Sequence, residues 1–140
     1  MTDTTSQVAI FDGHNDLLLR LWMNAAERHR IWLDRDATGH LDLPRMREGG
    51  FAGGLFAIFV PPEMRPGGPS LADMMKRTPY EIPQPPDCAT PAAQAVALAQ
   101  AGLLMWMARA APEDFALCRG AAEARAAMAA GRIAALMHME

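Results

Sequence analysis

The chain has 140 residues, of which 51% are hydrophobic and 21% charged, and its formal net charge is −3. This balance is typical of a globular domain, and 140 residues is a normal length for a single domain. Lys and Arg form no cluster along the chain, which argues against a nucleic-acid-binding protein.

The cysteines and the first residues bear on the cellular compartment. Cys88 and Cys118 form no C-x-x-C pair, so a zinc knuckle or a redox motif is not indicated. Two isolated thiols suit a reducing cytosol, although the sequence leaves a disulfide open. Residues 1–7 are polar and lack the basic and apolar regions of a signal peptide. We therefore expect a cytoplasmic protein.

The first predicted element is a strand over residues 8–13. It ends among three ionisable side chains at alternate positions, Asp12, His14 and Asp16. Because side chains alternate along a strand, all three are expected on one face. Imidazole and carboxylate are both good ligands for Zn²⁺ or similar ions. A polar, solvated strand end explains the motif equally well, since His-x-Asp triplets also arise by chance.

Helical sequence and a second strand follow. A helical piece is predicted near residues 17–30, and a short helix with Asp42 as N-cap, Pro44 in the first turn and Gly49 as its stop. His29 and His40 are interpreted as surface residues. The second strand covers residues 51–60, and its two internal glycines indicate close backbone approach rather than a phosphate loop.

Residues 61–91 contain nine of the eleven prolines and predict a long loop with one helical turn near residues 71–77. A loop this long is either functional, here covering a substrate, or an insertion. Thr90 as N-cap and Pro91 at the next position predict a helix over residues 91–110. Its alanine-rich sequence is apolar enough to weigh a membrane span, but weak hydrophobicity favours a buried helix.

The last part of the chain repeats the plan of the first. An extended piece at residues 115–118 and a helix that ends at Gly131 precede a third strand over residues 132–139, with His138 and Glu140 two positions apart. Apolar strands separated by helical sequence predict an α/β protein with parallel neighbouring strands. In such folds site residues gather at the carboxyl ends of strands. His138 and Asp12 are interpreted as residues that orient the site.

Three segments resemble the membrane (renal) dipeptidases, a family of metal-dependent hydrolases. They are DGHNDL at residues 12–17, GGFAGGLF at residues 49–56, and the stretch from Gly131 to HME at residues 138–140. The resemblance implies a TIM-type (β/α)₈ barrel and hydrolysis of the peptide bond of a dipeptide at a site with two Zn²⁺ ions, or other divalent ions. By position, it implies that His14 and Asp16 bind one metal ion and that Glu140 bridges both.

The same resemblance covers only the first part of the family's pattern. A complete barrel needs about 250 residues, so we expect residues 1–140 to form a single incomplete domain of about three βα units. The open edge of the third strand favours a homo-oligomer or a missing C-terminal half. The fragment is expected to be inactive alone, because the histidines of the second metal site have no counterpart in it.

Two alternatives of other classes remain at the level of the sequence. One is a non-catalytic fragment or subunit that requires a C-terminal partner. The other is an unrelated small helical or membrane-associated protein. A downstream reading frame that carries the missing histidines would identify the fragment, and a spectrum without strand signal would identify the helical protein.

Overall fold

The computed structural model describes residues 8–35, 38–62, 71–76, 79, 84 and 87–140. The polar start at residues 1–7 lies outside these described residues. So does much of the proline-rich segment, and with it most of the suggested substrate-covering loop.

Strands and helices alternate along the described part of the chain. The four strands are β1 (Ile10–Asn15), β2 (Phe51–Ile58), β3 (Phe115–Cys118) and β4 (Ile133–Met139). The α-helices are α1 (Leu17–Met23), α2 (Arg28–Leu33), α3 (Leu43–Glu48), α4 (Leu71–Met75), α5 (Thr90–Ala110) and α6 (Ala121–Ala129), and a 3₁₀ turn (Ala25–Glu27) joins α1 to α2.

All strand pairs in the sheet are parallel, and the strand order is β1-β2-β4-β3. The prediction that the first, second and last strands are parallel neighbours is therefore confirmed. The extended piece at residues 115–118 does more than predicted, because it pairs with β4 from Ile133 to Leu136. The edge of β4 is thus covered along its first half, where the sequence predicted an open edge.

Helices cover both faces of the sheet, because apolar side chains point alternately to the two sides of each strand. Phe115, Ile133 and Ala135 belong to the main core with α1, α2, α3 and α5. The intervening Ala116 and Ala134 belong to a second cluster, formed with α6. A polar residue at any of these positions would lie in a core on one side or the other.

The short helix α3 has the ends that the sequence predicts. Asp42 is its N-cap and accepts a hydrogen bond from the backbone N–H of Arg45, a proline follows in the first turn, and Gly49 is the C-cap. The start of α5 differs by one residue. The N-cap is Ala89, whose side chain makes no capping hydrogen bond, and Thr90 is the first residue of the helix.

Helix α5 packs on the sheet along one face only. Gln100, Leu103, Leu104 and Met107 are buried, whereas Leu98 is 65% exposed. With 21 residues and a mean hydropathy of 1.2, this helix is long and apolar enough to cross a membrane, as core helices of soluble proteins also can be. Only 22% of its apolar stretch is buried. The predicted burial between the sheet and its neighbours is thus correct for one face of α5 and wrong for the rest.

The two glycines of β2 lie where neighbouring strands leave no room for a side chain. A Cβ at Gly53 would come within 2.7 Å of the carbonyl oxygen of Ala134 in β4. A Cβ at Gly54 would come within 3.0 Å of the Asp12 Cβ in β1. The glycines therefore hold β1 and β4 close to β2, as the predicted close backbone approach requires.

Candidate metal centre

Strand β1 is irregular at the point where it delivers its polar residues. Asp12 pairs with Gly54 and Asn15 pairs with Phe56, so three steps along β1 match two steps along β2. Such a bulge reverses the alternation of side chains. The expectation that Asp12 shares a face with His14 is therefore wrong. The Asp12 side chain instead lies on the side of Asn15.

Asp12 and Asn15 support the turn that carries His14. The Asp12 carboxylate accepts hydrogen bonds from the backbone N–H of His14 (3.2 Å) and from the Asn15 amide (3.0 Å). The same amide donates to the carbonyl oxygen of Leu55 in β2 (3.2 Å). Asn15 is buried, and the sequence analysis did not single it out. The sequence did hold a clue to Asn15, because this polar amide stands between the candidate ligands His14 and Asp16 and directly before the apolar residues of α1.

His14, Asp16 and Glu140 come together at the carboxyl ends of β1 and β4. One donor atom from each lies within 4.8 Å of the other two. Nε2 of His14 is 3.5 Å from Oδ1 of Asp16 and 3.7 Å from Oε2 of Glu140. Asp16 follows β1 directly, and the Glu140 backbone N–H donates to the carbonyl oxygen of Ile58 (3.2 Å), which continues the ladder beyond β4. The sequence-predicted trio is thus assembled in space.

The charge and exposure of this trio suit a divalent cation. Two carboxylates and one imidazole present their donor atoms to a common volume, and like charges so close together favour a cation between them. The three side chains are 43%, 60% and 44% exposed, so an ion reaches them from solvent. One nitrogen and two oxygens form a donor set that fits Zn²⁺ and similar ions.

His138 also faces this site. Its ring lies nearly perpendicular to that of His14, at an interplanar angle of 80° and a centroid distance of 5.9 Å. His138 is half-buried and does not belong to the group of converging donor atoms. Its predicted place beside the ligands is therefore confirmed by the contact with His14, whereas Asp12 meets the His14 backbone and not the ring.

The two remaining histidines are exposed, in agreement with their interpretation as surface residues. His29 lies 3.9 Å from Asp34. His40 lines a cleft of about 300 Å³ that opens beside Asp16, and Leu17 and Leu41 form its apolar part. Arg20 closes one side of the cleft by donating to the carbonyl oxygens of Thr38 and Leu41.

Solved structures of two peptidases resemble the chain closely. The crystal structure of a metallopeptidase from Rhodobacter sphaeroides, liganded with a phosphinate mimic of the dipeptide L-Ala-D-Ala, matches with a TM-score of 0.89 and 53% identity. The matched region covers 96% of this chain and 38% of the Rhodobacter sphaeroides chain. A dipeptidase described as a metallopeptidase of family M19 matches with a TM-score of 0.82 and 52% identity, over 96% of this chain and 36% of its own.

Two further relatives are more distant or shorter. The probable dipeptidase PvdM from Pseudomonas aeruginosa matches at 21% identity with a TM-score of 0.61, over 95% of this chain and 28% of that chain, and this likeness concerns the fold alone. A curated Acinetobacter calcoaceticus protein, described as an uncharacterized protein in the PQQ-III 3′ region, is 48% identical over 56 residues, which are 39% of this chain and 18% of that protein.

These matches confirm the fold class and the family. The parallel α/β sheet matches part of the dipeptidase TIM-barrel fold, and the chain spans 38% and 36% of the two close structural relatives. A family model described as membrane dipeptidase, peptidase family M19, matches residues 1–140. The chain therefore belongs to the membrane dipeptidase family.

Proposed function

We propose that this chain carries part of the active site of a zinc-dependent dipeptidase, which hydrolyses the peptide bond of a dipeptide. The observation that carries the proposal is the convergence of His14, Asp16 and Glu140 at the carboxyl ends of parallel strands. In barrels of this type catalytic residues lie at that end of the strands. A metal cofactor is implied by membership of a metallopeptidase family.

The three residues have different tasks in this proposal. His14 and Asp16 hold one metal ion through Nε2 and a carboxylate oxygen. Glu140 turns Oε2 toward His14, and within the described residues its Oε1 has no partner, so that oxygen is available to a second ion. A divalent ion supplies Lewis acidity, which polarises the scissile carbonyl and lowers the pKa of a water molecule. Zn²⁺ suits this mixed donor set, and other divalent ions fit it as well.

Asp12, Asn15 and the strand ladder provide a fixed frame for these ligands. Asp12 holds the His14 backbone, and Asn15 ties the same turn to β2. Because the Glu140 backbone is bonded to Ile58 of β2, both sides of the site are attached to one central strand. A rigid frame of this kind keeps ligand geometry within the tolerance that catalysis needs.

The dipeptide substrate is part of the proposal. The Rhodobacter sphaeroides relative is described in complex with a phosphinate mimic of L-Ala-D-Ala. We extend the dipeptide class, and not a particular side chain, to this protein. The cleft beside Asp16, with Leu17 and Leu41 in its wall, offers space for a small apolar side chain next to the ligands.

Residues 1–140 alone are proposed to lack activity. The chain spans 38% of the Rhodobacter relative, so groups that complete the second metal site and grip the substrate are expected outside residues 1–140. The competing proposal is a non-catalytic subunit that requires a C-terminal partner. We further propose a cytoplasmic protein whose exposed apolar side chains are covered either in a homo-oligomer or by a C-terminal half of the barrel.

A chimera tests the proposed function. Residues 1–140 replace the matching segment of the Rhodobacter sphaeroides metallopeptidase, and hydrolysis of L-Ala-D-Ala is measured with Zn²⁺ added. The chimera is expected to turn over the dipeptide, whereas its His14→Ala and Glu140→Ala variants are expected to lose activity by at least about 100-fold. His29→Ala is the matched control and should retain activity.

The 140-residue chain without the rest of the barrel is assayed in parallel. Hydrolysis by this chain alone would contradict its proposed dependence on further residues. A folded chimera that binds zinc but leaves the dipeptide intact would contradict the proposed reaction and favour the non-catalytic subunit.

A further inference from the structure

The histidine ring contact at the candidate metal centre crosses a strand. His14 is on β1 and His138 is on β4, with β2 between them. At this level β2 carries Ala57, which pairs with His138 in the sheet register and is fully buried. The two rings nevertheless contact each other across β2, with their centroids 5.9 Å apart.

Hydrogen bonds do not fix the plane of the His14 ring. Nε2 faces the two carboxylates, but Nδ1 has no partner among the residues described here. A metal-bound histidine usually donates its second N–H to a carboxylate, a carbonyl or water, and this bond sets the orientation of the ring. His14 has no such protein partner in the described part of the chain, so a packing contact is what remains within these residues to restrict rotation about its χ2 angle.

His138 is placed to supply that contact. Its own ring nitrogens make no hydrogen bond or ion pair within the described residues, and its contact with His14 is a nearly perpendicular ring pair. Perpendicular pairs at this distance are a favoured arrangement of aromatic rings. A ring on one side of His14 restricts the planes that the imidazole can adopt while it leaves Nε2 free toward Asp16 and Glu140.

We propose that His138 is a positioning residue for His14, which holds the imidazole plane by ring packing and so raises metal affinity. The proposal rests on the proposed metal site, but its physical basis is present in the protein without metal. It assigns the effect to the aromatic ring and not to the nitrogens of His138. The variant His138→Phe should therefore keep the positioning effect, and His138→Ala should lose it.

The test uses the 140-residue chain and three variants. His138→Phe retains an aromatic ring, His138→Ala removes it, and Met137→Ala truncates a neighbouring side chain on the opposite face of β4. Co²⁺ affinity is measured by competition with a chromophoric chelator. We expect wild-type affinity for Met137→Ala and His138→Phe, and a loss of about three- to tenfold for His138→Ala. Thermal unfolding of both alanine variants shows whether the loss follows from stability alone.

A second measurement separates this inference from the metal proposal. In the metal-free protein, the ring protons of His14 are followed by NMR. In wild type and His138→Phe, we expect ring-current shifts of the His14 protons and a single orientation of the His14 ring. In His138→Ala, we expect these signals to be averaged over several ring orientations. If the wild-type chain bound no Co²⁺ but gave these spectra, the metal proposal and the proposed effect on affinity would fail, and only the restriction of the His14 ring by His138 would stand.

Either of two results would overturn the inference. One is an unchanged His14 spectrum in His138→Ala. The other is a His138→Phe variant that binds Co²⁺ as weakly as His138→Ala, because the nitrogens of His138 would then be the groups that matter.

Discussion

Nε2 of His14 lies 3.7 Å from Oε2 of Glu140, although the strands that carry them are separated by β2. Both strands are tied to β2, and the glycines of that strand allow the close approach. The site therefore depends on a central strand that contributes no ligand. This relationship leads to predictions about the ligands, the glycines and the contact that anchors β2.

Loss of one ligand should abolish tight binding of a divalent ion. We expect the Zn²⁺ affinity to fall in the variants His14→Ala, Asp16→Asn and Glu140→Gln. The loss should exceed about 100-fold, the upper end of what is typical when a residue that only hydrogen-bonds to a metal ligand is removed. Isothermal titration measures the affinity, with His29→Ala as the control histidine. Zinc at about 100 times its Kd should also stabilise the wild-type chain by about 2.7 kcal/mol, and chelation should remove this gain. Equal affinity in wild type and the three variants would exclude this trio as the binding site.

Alanine at Gly53 should destabilise the sheet. The added Cβ would lie 2.7 Å from the backbone oxygen of Ala134, which cannot move aside as a flexible side chain could. We expect Gly53→Ala to lower the free energy of unfolding by about 1–3 kcal/mol, the usual cost of overpacking. Gly102→Ala in α5 is the matched control, since nothing lies within 4 Å of its Cβ, and it should gain roughly 0.5–1 kcal/mol. Urea unfolding of both variants decides the matter, and equal effects would contradict the close-approach argument.

Gln100 anchors the carboxyl end of β2 to α5. Its amide oxygen accepts from the backbone N–H of Phe59 (3.1 Å) and its amide nitrogen donates to the Phe59 carbonyl oxygen (2.6 Å). Gln100 is fully buried, so Gln100→Leu leaves two backbone groups without partners. We expect a loss of about 1–3 kcal/mol in the free energy of unfolding. Leu98→Ala on the exposed face of α5 should change it by less than about 0.5 kcal/mol. A Gln100→Leu variant as stable as wild type would show that these bonds contribute little.

Cys118 should be the less reactive of the two thiols. Both cysteines are free, and burial raises the pKa of the Cys118 thiol above its usual value, with the nearby Glu123 carboxylate acting in the same direction. Iodoacetamide labelling at pH 8, mapped by mass spectrometry, should modify Cys88 well before Cys118. Faster modification of Cys118 would contradict its burial.

The same shift has a defined effect on stability. The folded state keeps the Cys118 proton at a pH where the unfolded thiol, with a pKa of about 8.5, has lost it. The stabilisation is therefore complete below that unfolded value and declines as pH rises toward the higher folded value. Unfolding at pH 7 and pH 10 is compared with Cys118→Ala, which should show a smaller decline.

The isolated chain should self-associate. Ile10, Phe11, Leu98, Met105 and Met139 are each between 47% and 65% exposed, and β1 is an edge of the described sheet. Exposed apolar side chains and open strand edges both favour association. Sedimentation velocity at rising protein concentration should show larger species, and Ile10→Lys with Leu98→Glu should reduce them. A monomer at every concentration would contradict this prediction.

Local patterns in the sequence determined much of this structure. The cap at Asp42, the proline after it and the stop at Gly49 act within a few residues, so the bounds of α3 were correctly predicted. The apolar runs gave β2 and β4 to within two residues at each end. His14 and Asp16 are two positions apart, so their backbones are close in any conformation of the chain. The family resemblance added the remaining candidate ligand, Glu140, which lies far from them in the sequence.

Only the tertiary structure decided the relationships that depend on strand register. The bulge in β1 turns Asp12 away from the His14 ring, because register is set by pairing with β2 and not by the alternation of one strand. β3 joins the sheet because β4 offers it an unpaired edge, which a four-residue apolar run cannot reveal by itself. The contact between His14 and His138 joins residues of β1 and β4, two strands that are separated by β2 in the sheet. Such contacts arise from the packing of segments that are far apart in the sequence, so the local periodicity of the sequence cannot predict them.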